Sequence, residues 1–418
     1  MSEPELVHPV PVEEARGWFA ALVTTLLGDP YDDEFERRVA RWTHDWTRLR
    51  SWGYRDHGRW VATLATESRT LTVPGPQGGT RELEADALTG VTVAATHRRR
   101  GLLTSMISQS LHAAKERGDA LSMLIAAEWP IYGRFGYAPA VSGAGYTYHL
   151  RRPNAALPPP PPGSVRQVEA AELRDHAQRI FDAARRLRPG HVDRRGTWWD
   201  RRLNQDGFEA IGKQPHWVLH EGPDGPDGLL AWRVTRDFDL SGALGAAEVI
   251  EFVAANDTAY RDLWGYLAGI DVIDEILVDD RPLDEPIRWL LRDGRALSYK
   301  HVFDFLWLRL LDVPAALSAR SYATCGRIVL DVVDEDLGGF ARGRFAVDSD
   351  GDTARCTPTG EAADLRLTQR ALAACYVGGH RLRQRATAGD VEELTAGALD
   401  RADVMFSVPL APWCQTGF

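Results

Sequence analysis

The sequence predicts a mixed α/β (α+β) protein with several domains, and three observations support this fold class. The chain has 418 residues, which is too many for one ordinary hydrophobic core. Apolar residues recur with helical spacing over residues 11–27 and 31–46, before any strand pattern begins. An apolar strand at residues 86–94 then leads through a turn into a helix over residues 102–117, which Gly118 closes, and into a second apolar strand at residues 121–127.

The turn at residues 97–101, with the sequence HRRRG, has the chemistry of an anion site. The N-terminus of the following helix offers unpaired N–H groups, and Gly101 lets a ligand approach the backbone closely. Arg98, Arg99 and Arg100 add donors that suit phosphate. The turn lacks the Gly-Lys-Ser/Thr ending of a P-loop and the G-x-G-x-x-G dinucleotide fingerprint. By itself it is compatible with a pyrophosphate cradle or with a solvated basic surface.

Two motifs taken together resemble one protein family. RRRGLL at residues 98–103 is similar to the Q/R-x-x-G-x-G/A acyl-CoA motif of the GNAT N-acetyltransferase superfamily, with Leu103 in place of the small final residue. IYGRFGY at residues 131–137 is the more specific motif. At this spacing, HRRRGLL and IYGRFGY resemble the Eis (enhanced intracellular survival) family of bacterial acetyltransferases. The resemblance continues to the last residues, PWCQTGF.

The resemblance implies two GNAT-like domains followed by a sterol-carrier-protein-like C-terminal domain. We expect the catalytic GNAT domain at residues 1–156, a second GNAT-like domain without a cofactor motif at 164–300, and the sterol-carrier-like domain at 301–418. The proline run at residues 157–163 is stiff and extended, and it indicates the first boundary.

The remaining pattern predicts the elements of each domain. In the first, strands at residues 60–66 and 69–73 form a meander, a short helix begins near Pro130, and a closing strand is expected at 146–150. In the second, we predict strands at 165–168, 217–219, 228–234, 248–254 and 273–278, a helix from Ala170, and a helix over 258–270 with Asn256 as its N-cap. In the third, we predict strands at 301–311, 321–333, 342–348 and 363–367 and helices at 314–319, 368–376, 394–397 and 399–406.

The resemblance also implies site residues. Tyr132 is the expected catalytic acid, and the α-carboxylate of Phe418 is the expected base, acting through water. Tyr137 is the rival for the acid and is interpreted as a core residue. The residues expected to bind the cofactor are Val91 and Val93, through backbone hydrogen bonds to pantetheine, and Arg98, Arg99, Gly101 and Leu102, around the pyrophosphate.

The acceptor site rests on two residues, Asp32 and Trp42, in the early helices. A carboxylate and an aromatic ring suit a polyamine. A surface charge and a core tryptophan are the alternative interpretation of this pair.

The function implied is an acetyl-CoA-dependent N-acetyltransferase for primary amines of the aminoglycoside or lysine type, working through a direct ternary complex. A non-catalytic acyl-CoA-binding regulatory protein is the alternative. By resemblance we also expect a homohexamer.

Composition limits the other classes. The net charge of −10 argues against nucleic-acid binding, and the apolar runs are too short for a membrane span. We expect a cytoplasmic protein without a signal peptide or a metal, since the N-terminus lacks an apolar segment and the four cysteines form no C-x-x-C pair.

Overall fold

The structure is a computed structural model that describes residues 3–30, 35–152, 155–203, 214–238 and 244–418. The chain forms two compact units. The first unit comprises Met1–Val141, Phe305–Pro409 and Gly417–Phe418, and the second comprises Ser142–Asp304 and Leu410–Thr416. Residues 410–416 therefore belong to the second unit, whereas the last two residues, Gly417 and Phe418, belong to the first.

The N-terminal part of the first unit contains the strand–turn–helix–strand segment. Its elements are β1 (Glu5–Val7), α1 (Ala15–Thr25), α2 (Phe35–His44), β2 (Arg50–Asp56), β3 (Arg59–Pro74), β4 (Thr80–Val93), α3 (Leu102–Arg117), β5 (Leu121–Ile125), α4 (Trp129–Tyr132) and the start of β6 (Ala138–His149). The helix predicted at residues 102–117 is confirmed at both ends. Gly101 and Gly118 flank it with φ values of 80° and 88°, which end the helical path in both directions.

Two predicted strands in this part are a single strand. Residues 60–66 and 69–73 belong to β3, which pairs with β4 along most of its length. The polar residues Glu67 and Ser68 interrupt the apolar pattern, yet they pair with Ala87 and Asp86 in register. Strands β1 and β2 were not predicted. Strand β1 has only three residues, and β2 contains three charged residues that interrupt its apolar pattern.

The second unit follows the predicted succession of strands and helices. Its elements are β7 (Val165–Val168), α5 (Ala170–Arg185), α6 (Gly196–Arg202), β8 (His216–Gly222), β9 (Gly225–Arg236), β10 (Gly245–Ala254), α7 (Asp257–Ala268), β11 (Ile273–Arg281), α8 (Ile287–Leu290) and the start of β12 (Leu297–Leu310). The predicted N-cap of α7 is confirmed, because the Asn256 side chain accepts a hydrogen bond from the Ala259 N–H (2.9 Å).

The sheets of the two units share one pattern of strand pairing. In the first unit β1, β2, β3 and β4 pair antiparallel in sequence, and β4 pairs parallel to β5. In the second unit β7, β8, β9 and β10 pair antiparallel, and β10 pairs parallel to β11. Both sheets therefore carry one parallel strand pair next to an antiparallel meander, which is the pattern of two related domains.

In each unit, the strand that pairs with β5 or β11 on the other side comes from a distant part of the sequence. Residues 306–310 of β12 pair antiparallel with β5 in the first unit. Residues 144–149 of β6 pair antiparallel with β11 in the second unit. The strand predicted at 146–150 therefore does not close the first sheet, and the strand predicted at 301–311 joins the sheet of the first domain. Both strands are apolar, and nothing in their local pattern specifies the partner.

The C-terminal part of the first unit is a second, five-stranded sheet with helices. Its elements are α9 (Val313–Ala319), β13 (Cys325–Val333), β14 (Gly343–Asp350), β15 (Ala354–Pro358), β16 (Leu365–Thr368), α10 (Gln369–Cys375), α11 (Leu382–Thr387), β17 (Val391–Glu393) and α12 (Ala398–Met405). The helix predicted at residues 394–397 is wrong. That segment follows β17, an edge strand paired with β16, and leads by a turn into α12.

Helix α3 supplies the core of the first domain. It buries Met106, Ile107 and Leu111 in one cluster with Leu64 of β3 and Leu88 of β4. Burial of such side chains stabilises the fold by about 1.5–3 kcal/mol each. None of the helices within the described ranges combines the length and apolar content needed to cross a membrane.

Candidate active site

The candidate site begins where the parallel strands β4 and β5 diverge. Among the described residues their ladder covers Asp86–Leu88 against Ser122–Leu124 and then stops. Strand β4 continues beside β3 alone, with a bulge at Gly90, where the register shifts between Thr89 and Thr92. Gly90 has φ 61°, and the Thr63 hydroxyl donates to its carbonyl (2.8 Å). The bulge turns the end of β4 away from β5 and opens the sheet.

The divergence presents backbone groups of Val91 and Val93 to the gap. The Ala94 N–H donates to the Val61 carbonyl (2.8 Å), so Ala94 faces β3. Backbone groups of successive strand residues point to opposite sides, and those of Val93, like those of Val91 two residues earlier, face away from β3. These are the two residues expected to hydrogen-bond pantetheine.

The turn after β4 keeps the helix N-terminus open. Arg98, Arg99 and Arg100 are exposed, and none of them forms an ion pair with a described residue. The first helical hydrogen bond runs from the Ser105 N–H to the Gly101 carbonyl (2.9 Å), and no side chain caps the helix. A Cβ at Gly101 would meet no atom within 4 Å, so the space above the turn is accessible. The arrangement fits a phosphate, with Leu102 buried beneath and contributing its N–H.

Two anchors hold this turn in place. The His97 ring contacts the Asp56 carboxylate of β2 (Nε2 to Oδ2, 2.9 Å) and the Thr96 hydroxyl (2.9 Å). At the other end of α3, Arg117 pairs with the buried Asp86 of β4 (2.7 Å), to which Arg50 also donates (2.9 Å). Burial raises the pKa of Asp86, whereas the two guanidinium groups act in the opposite direction. The ion pairs connect both ends of α3 to the sheet.

Tyr132 and Tyr137 differ in the partner of the hydroxyl. The Tyr137 side chain is 1% exposed, and its hydroxyl contacts the Ser122 hydroxyl (2.7 Å), which supports its interpretation as a core residue. Tyr132 is buried too, but its hydroxyl makes no hydrogen bond to any described residue. Burial, and then the negative charge of Glu128, raise the pKa of Tyr132 to about 12. Its phenol therefore keeps its proton at neutral pH.

The turn after Tyr132 is held by two buried polar side chains that the sequence analysis missed. Arg309 of β12 donates to the Phe135 carbonyl, and Gln369 of α10 donates to the Gly136 carbonyl. A Cβ at Gly136 would come within 3.1 Å of Arg309 and 2.9 Å of Gln369. A signal existed for Arg309, which is a lone cation in the apolar run FLWLRLL and must find acceptors when buried.

The C-terminus lies on β4 beside the bulge. The Thr89 hydroxyl donates to a carboxylate oxygen of Phe418 (3.1 Å), and the Arg69 guanidinium lies 5.8 Å from the centre of the Phe418 ring. Thr89 directly follows Leu88, the last residue of the ladder with β5. The terminal carboxylate is thus located at the strand divergence. Neither Thr89 nor Arg69 lies in a sequence motif that would predict its contact with Phe418.

Of the two residues expected to bind the acceptor, the structure describes only Trp42. Asp32 lies outside the described residues. Trp42 is half-buried and packs against Trp18 and Phe19, with ring centres 5.9 and 5.2 Å apart. The structure thus brings Trp42 into the aromatic cluster of α1 and α2, and its role towards an acceptor stays a prediction. Within the described ranges, no cluster of three or more His, Cys, Asp or Glu residues could hold a metal ion.

Comparisons with known families match three successive parts of the chain. An acetyltransferase (GNAT) domain family matches residues 7–140, a second acetyltransferase (GNAT) domain family matches residues 190–310, and a sterol carrier protein domain family matches residues 313–415. The two predicted GNAT-like domains and the C-terminal sterol-carrier-like domain are confirmed.

Curated relatives and a solved structure agree with these matches. An uncharacterized N-acetyltransferase of Streptomyces griseus is 37% identical over 422 residues, which cover 99% of each chain. N-acetyltransferase Eis of Mycobacterium tuberculosis H37Ra is 35% identical over 360 residues, 83% of each chain. The crystal structure of Eis1 from Mycobacterium abscessus superposes with a TM-score of 0.84 at 30% identity and covers all of both chains.

Proposed function

The chain belongs to the Eis-like family of GNAT N-acetyltransferases, and we propose that it transfers an acetyl group from acetyl-CoA directly to a primary amine, with Tyr132 as acid and the Phe418 carboxylate as base. One observation carries this mechanism, namely that the Thr89 hydroxyl holds the terminal carboxylate (3.1 Å) at the divergence of β4 and β5. A terminal residue without a role is usually frayed.

Acetyl-CoA recognition uses groups from β4 and α3. The N–H groups of Gly101 and Leu102, with Arg98 and Arg99, are suited to the pyrophosphate, since donors and positive charge converge at the open helix N-terminus. Val91 and Val93 offer backbone groups to the pantetheine arm along the edge that β5 leaves open.

The Phe418 carboxylate acts on the acceptor nitrogen. An alkylammonium has a pKa of about 10 and a carboxylate one of about 3.5, so the carboxylate does not strip the free ammonium by itself. The acceptor reacts from the small fraction that is a neutral amine, which loses its first proton to the solvent before the attack. As the lone pair of the neutral nitrogen attacks the thioester carbon, the nitrogen becomes positively charged and strongly acidic, and the carboxylate, through a water, accepts its second proton at that stage. The bond from the carbonyl carbon to sulfur then breaks, which leaves the amide and CoA.

Tyr132 acts on the departing sulfur. Its pKa of about 12 exceeds the value of about 8.5 for a thiol, so complete proton transfer to a thiolate is uphill by about 5 kcal/mol. The phenol therefore stabilises the developing thiolate as a hydrogen-bond donor and keeps its proton through most of the step. A hydroxyl that makes no hydrogen bond to any of the described residues is suited to this task.

The acceptors we propose are amines of the aminoglycoside or lysine type. Asp32 and Trp42 are the proposed contacts for such a cation, through an ion pair and a cation–π contact. A homohexamer and a cytoplasmic location stay predictions from the resemblance.

The test is release of CoA thiol from acetyl-CoA over a panel of aminoglycosides, polyamines, lysine peptides and arylamines. Three proteins are compared: the intact chain, Tyr132→Phe, and a chain with one glycine added after Phe418. The added glycine keeps the Phe418 ring and moves the carboxylate by about 3.5 Å. We expect both changes to lower kcat by about 100-fold, the usual contribution of a positioned acid or base.

Either of two results would contradict the proposal. Full turnover by the extended chain would remove the carboxylate from the mechanism. Calorimetric binding of acetyl-CoA without turnover on any amine would instead support an acyl-CoA-binding regulatory protein.

A further inference from the structure

The second unit repeats the strand divergence of the first. The parallel ladder between β10 and β11 ends at Val249 and Val278 among the described residues. Strand β10 then continues beside β9 with a register shift between Val249 and Glu251. This arrangement, a bulge after the end of a parallel ladder, is the one that opens the candidate active site between β4 and β5.

The C-terminal tail, residues 410–416, contacts this divergence on both strands. The Gln415 side-chain N–H donates to Oε1 of Glu251 (2.6 Å), and the Trp413 indole N–H donates to Oδ1 of Asp280 (2.9 Å). Glu251 and Asp280 are each two residues past the end of the ladder, on β10 and β11. The Arg281 guanidinium lies 4.9 Å from the centre of the Trp413 ring. The tail therefore lies across the opening in the sheet.

The loop between α5 and α6 contacts the tail as well. The Trp413 N–H donates to the Pro189 carbonyl (3.1 Å). The Thr416 hydroxyl donates to the Val192 carbonyl (3.0 Å) and accepts from Nε of Arg194 (3.2 Å). Cys414 and Thr416 are fully buried. The tail thus makes hydrogen bonds to the two strands on one side and to this loop on the other, and these bonds offset the energetic cost of ordering it.

The polar partners of the tail are themselves held by ion pairs and ring contacts. Glu251 is 2% exposed and pairs with Arg194 (3.1 Å) and Arg202 (3.0 Å). The Arg194 guanidinium stacks 3.7 Å from the centre of the Trp198 ring. Buried charges tolerate little displacement, because each must keep its partners in the absence of water. Such a cluster fixes the position of Gln415 rather than merely attracting it.

We propose that the second unit is a holder for the chain's own C-terminal tail, with Glu251, Asp280 and Arg194 as positioning residues for the Phe418 carboxylate. Thr416 is fixed in the second unit, and Gly417 alone lies between it and Phe418 in the sequence. Two residues span at most about 7 Å, so fixing Thr416 confines the carboxylate to within about that distance of Thr416. The predicted benefit is a high local concentration of the base at the site.

The catalytic part of this proposal rests on the proposed role of Phe418, and the experiment separates the two. The variant combines Trp413→Phe, Gln415→Leu and Thr416→Val, which keep an aromatic ring at residue 413 and side chains of similar size at 415 and 416, and which remove the polar groups that form the hydrogen bonds. Trp289→Phe is the matched control, because it makes the first of these changes at a side chain that is 84% exposed in the same unit. A second variant, Thr416→Ser alone, retains the hydroxyl.

Three quantities are measured. The first is the rate at which a carboxypeptidase releases Phe418, followed by mass spectrometry, and the others are kcat and the Kd for acetyl-CoA. We expect the triple variant to release Phe418 at least tenfold faster and to lose about tenfold in kcat, since it lacks four side-chain hydrogen bonds of the tail. The Kd for acetyl-CoA, the control and Thr416→Ser should stay close to the intact chain.

The outcomes are distinguishable. Release of Phe418 at the unchanged rate in the triple variant would overturn the proposal, because the tail would then be held by other contacts. Faster release with unchanged kcat would leave the holder in place and would remove the carboxylate from catalysis. Loss of acetyl-CoA binding in the triple variant would show a general structural defect and would also overturn the assignment of positioning residues.

Discussion

The two tyrosines of the IYGRFGY motif have different surroundings although only four residues lie between them. The Tyr137 hydroxyl forms a hydrogen bond with the Ser122 hydroxyl (2.7 Å), whereas the Tyr132 hydroxyl makes no hydrogen bond to a described residue. Buried hydroxyls normally find a partner within the protein. The difference therefore favours Tyr132 as the group that meets the substrate.

At Gly101 we predict a change in acetyl-CoA binding in addition to a modest loss of stability. Its φ of 80° costs an alanine about 1 kcal/mol, and the added Cβ would project into the open space above the turn. Gly101→Ala should therefore raise the KM for acetyl-CoA about tenfold by blocking the close approach of the pyrophosphate. Steady-state kinetics at saturating amine give the value.

Gly118 provides the control at the opposite end of the same helix. It has φ 88°, and a Cβ there would also meet no atom within 4 Å. Gly118→Ala should lower the unfolding midpoint by as much as Gly101→Ala and leave the KM unchanged. An equal rise of KM in both variants would indicate that helix strain, and not the phosphate contact, is responsible.

At the scale of elements, Asp280 near the end of β11 has a buried carboxylate, and its negative charge destabilises the folded state. Burial raises the pKa of Asp280 to about 6 from 3.8, and Glu251 adds to this shift, whereas Trp413, Arg281 and Arg202 oppose it. The folded protein therefore binds the proton more tightly than the unfolded chain. The contribution of Asp280 to stability is therefore fully present below about pH 4 and is lost as the pH rises through about 6, an effect of about 3 kcal/mol for this one group.

Asp280→Asn should remove this penalty. The amide oxygen still accepts from the Trp413 indole, and no charge is buried. We expect the variant to have a higher unfolding midpoint than the intact chain at pH 7.5 and no advantage at pH 4, as measured by thermal unfolding at both values.

The neighbouring Asp279 is the control for this substitution. It is half-exposed and pairs with Lys300 (2.9 Å), so Asp279→Asn should change stability little at either pH. A stabilisation of the Asp280→Asn protein that is equal at pH 4 and pH 7.5 would contradict the argument from desolvation.

At the scale of the whole molecule, the sterol-carrier-like domain contributes to the catalytic domain of the same unit. Gln369, the first residue of α10, is fully buried and donates to the Gly136 carbonyl in the turn that follows Tyr132. Gln369→Leu should leave that carbonyl without its donor, which costs about 1–3 kcal/mol. The turn should loosen, so kcat should fall while the Kd for acetyl-CoA stays unchanged.

Kinetics and calorimetry on the same preparation check this prediction. Gln384→Leu, at an exposed glutamine of α11, is the matched control and should leave kcat unchanged. If Gln369→Leu lowers the unfolding midpoint without any change in kcat, the domain supports only stability and not the position of Tyr132.

Local chemistry made several parts of this protein predictable. The bounds of α3 follow from two glycines at its ends, and the cap of α7 follows from Asn256. The predicted strand at residues 165–168 is confirmed as β7 for the same reason, because short-range pattern and turn residues specify it. Motif spacing was sufficient for the family, since HRRRGLL and IYGRFGY are contiguous runs.

Partner choice is what the sequence left open and the tertiary structure decided. Strands β6 and β12 are apolar along much of their length, and only the folded chain shows that residues 144–149 pair with β11 and residues 306–310 with β5. The same is true of the contacts of Arg309 with Phe135, of Gln369 with Gly136 and of Gln415 with Glu251, each of which joins residues more than a hundred positions apart in the sequence. The sequence by itself determined the helix ends and the motifs, because those depend on neighbouring residues. The pairing of strands and the docking of Phe418 depend on burial and hydrogen bonds between distant segments, which a local pattern does not encode.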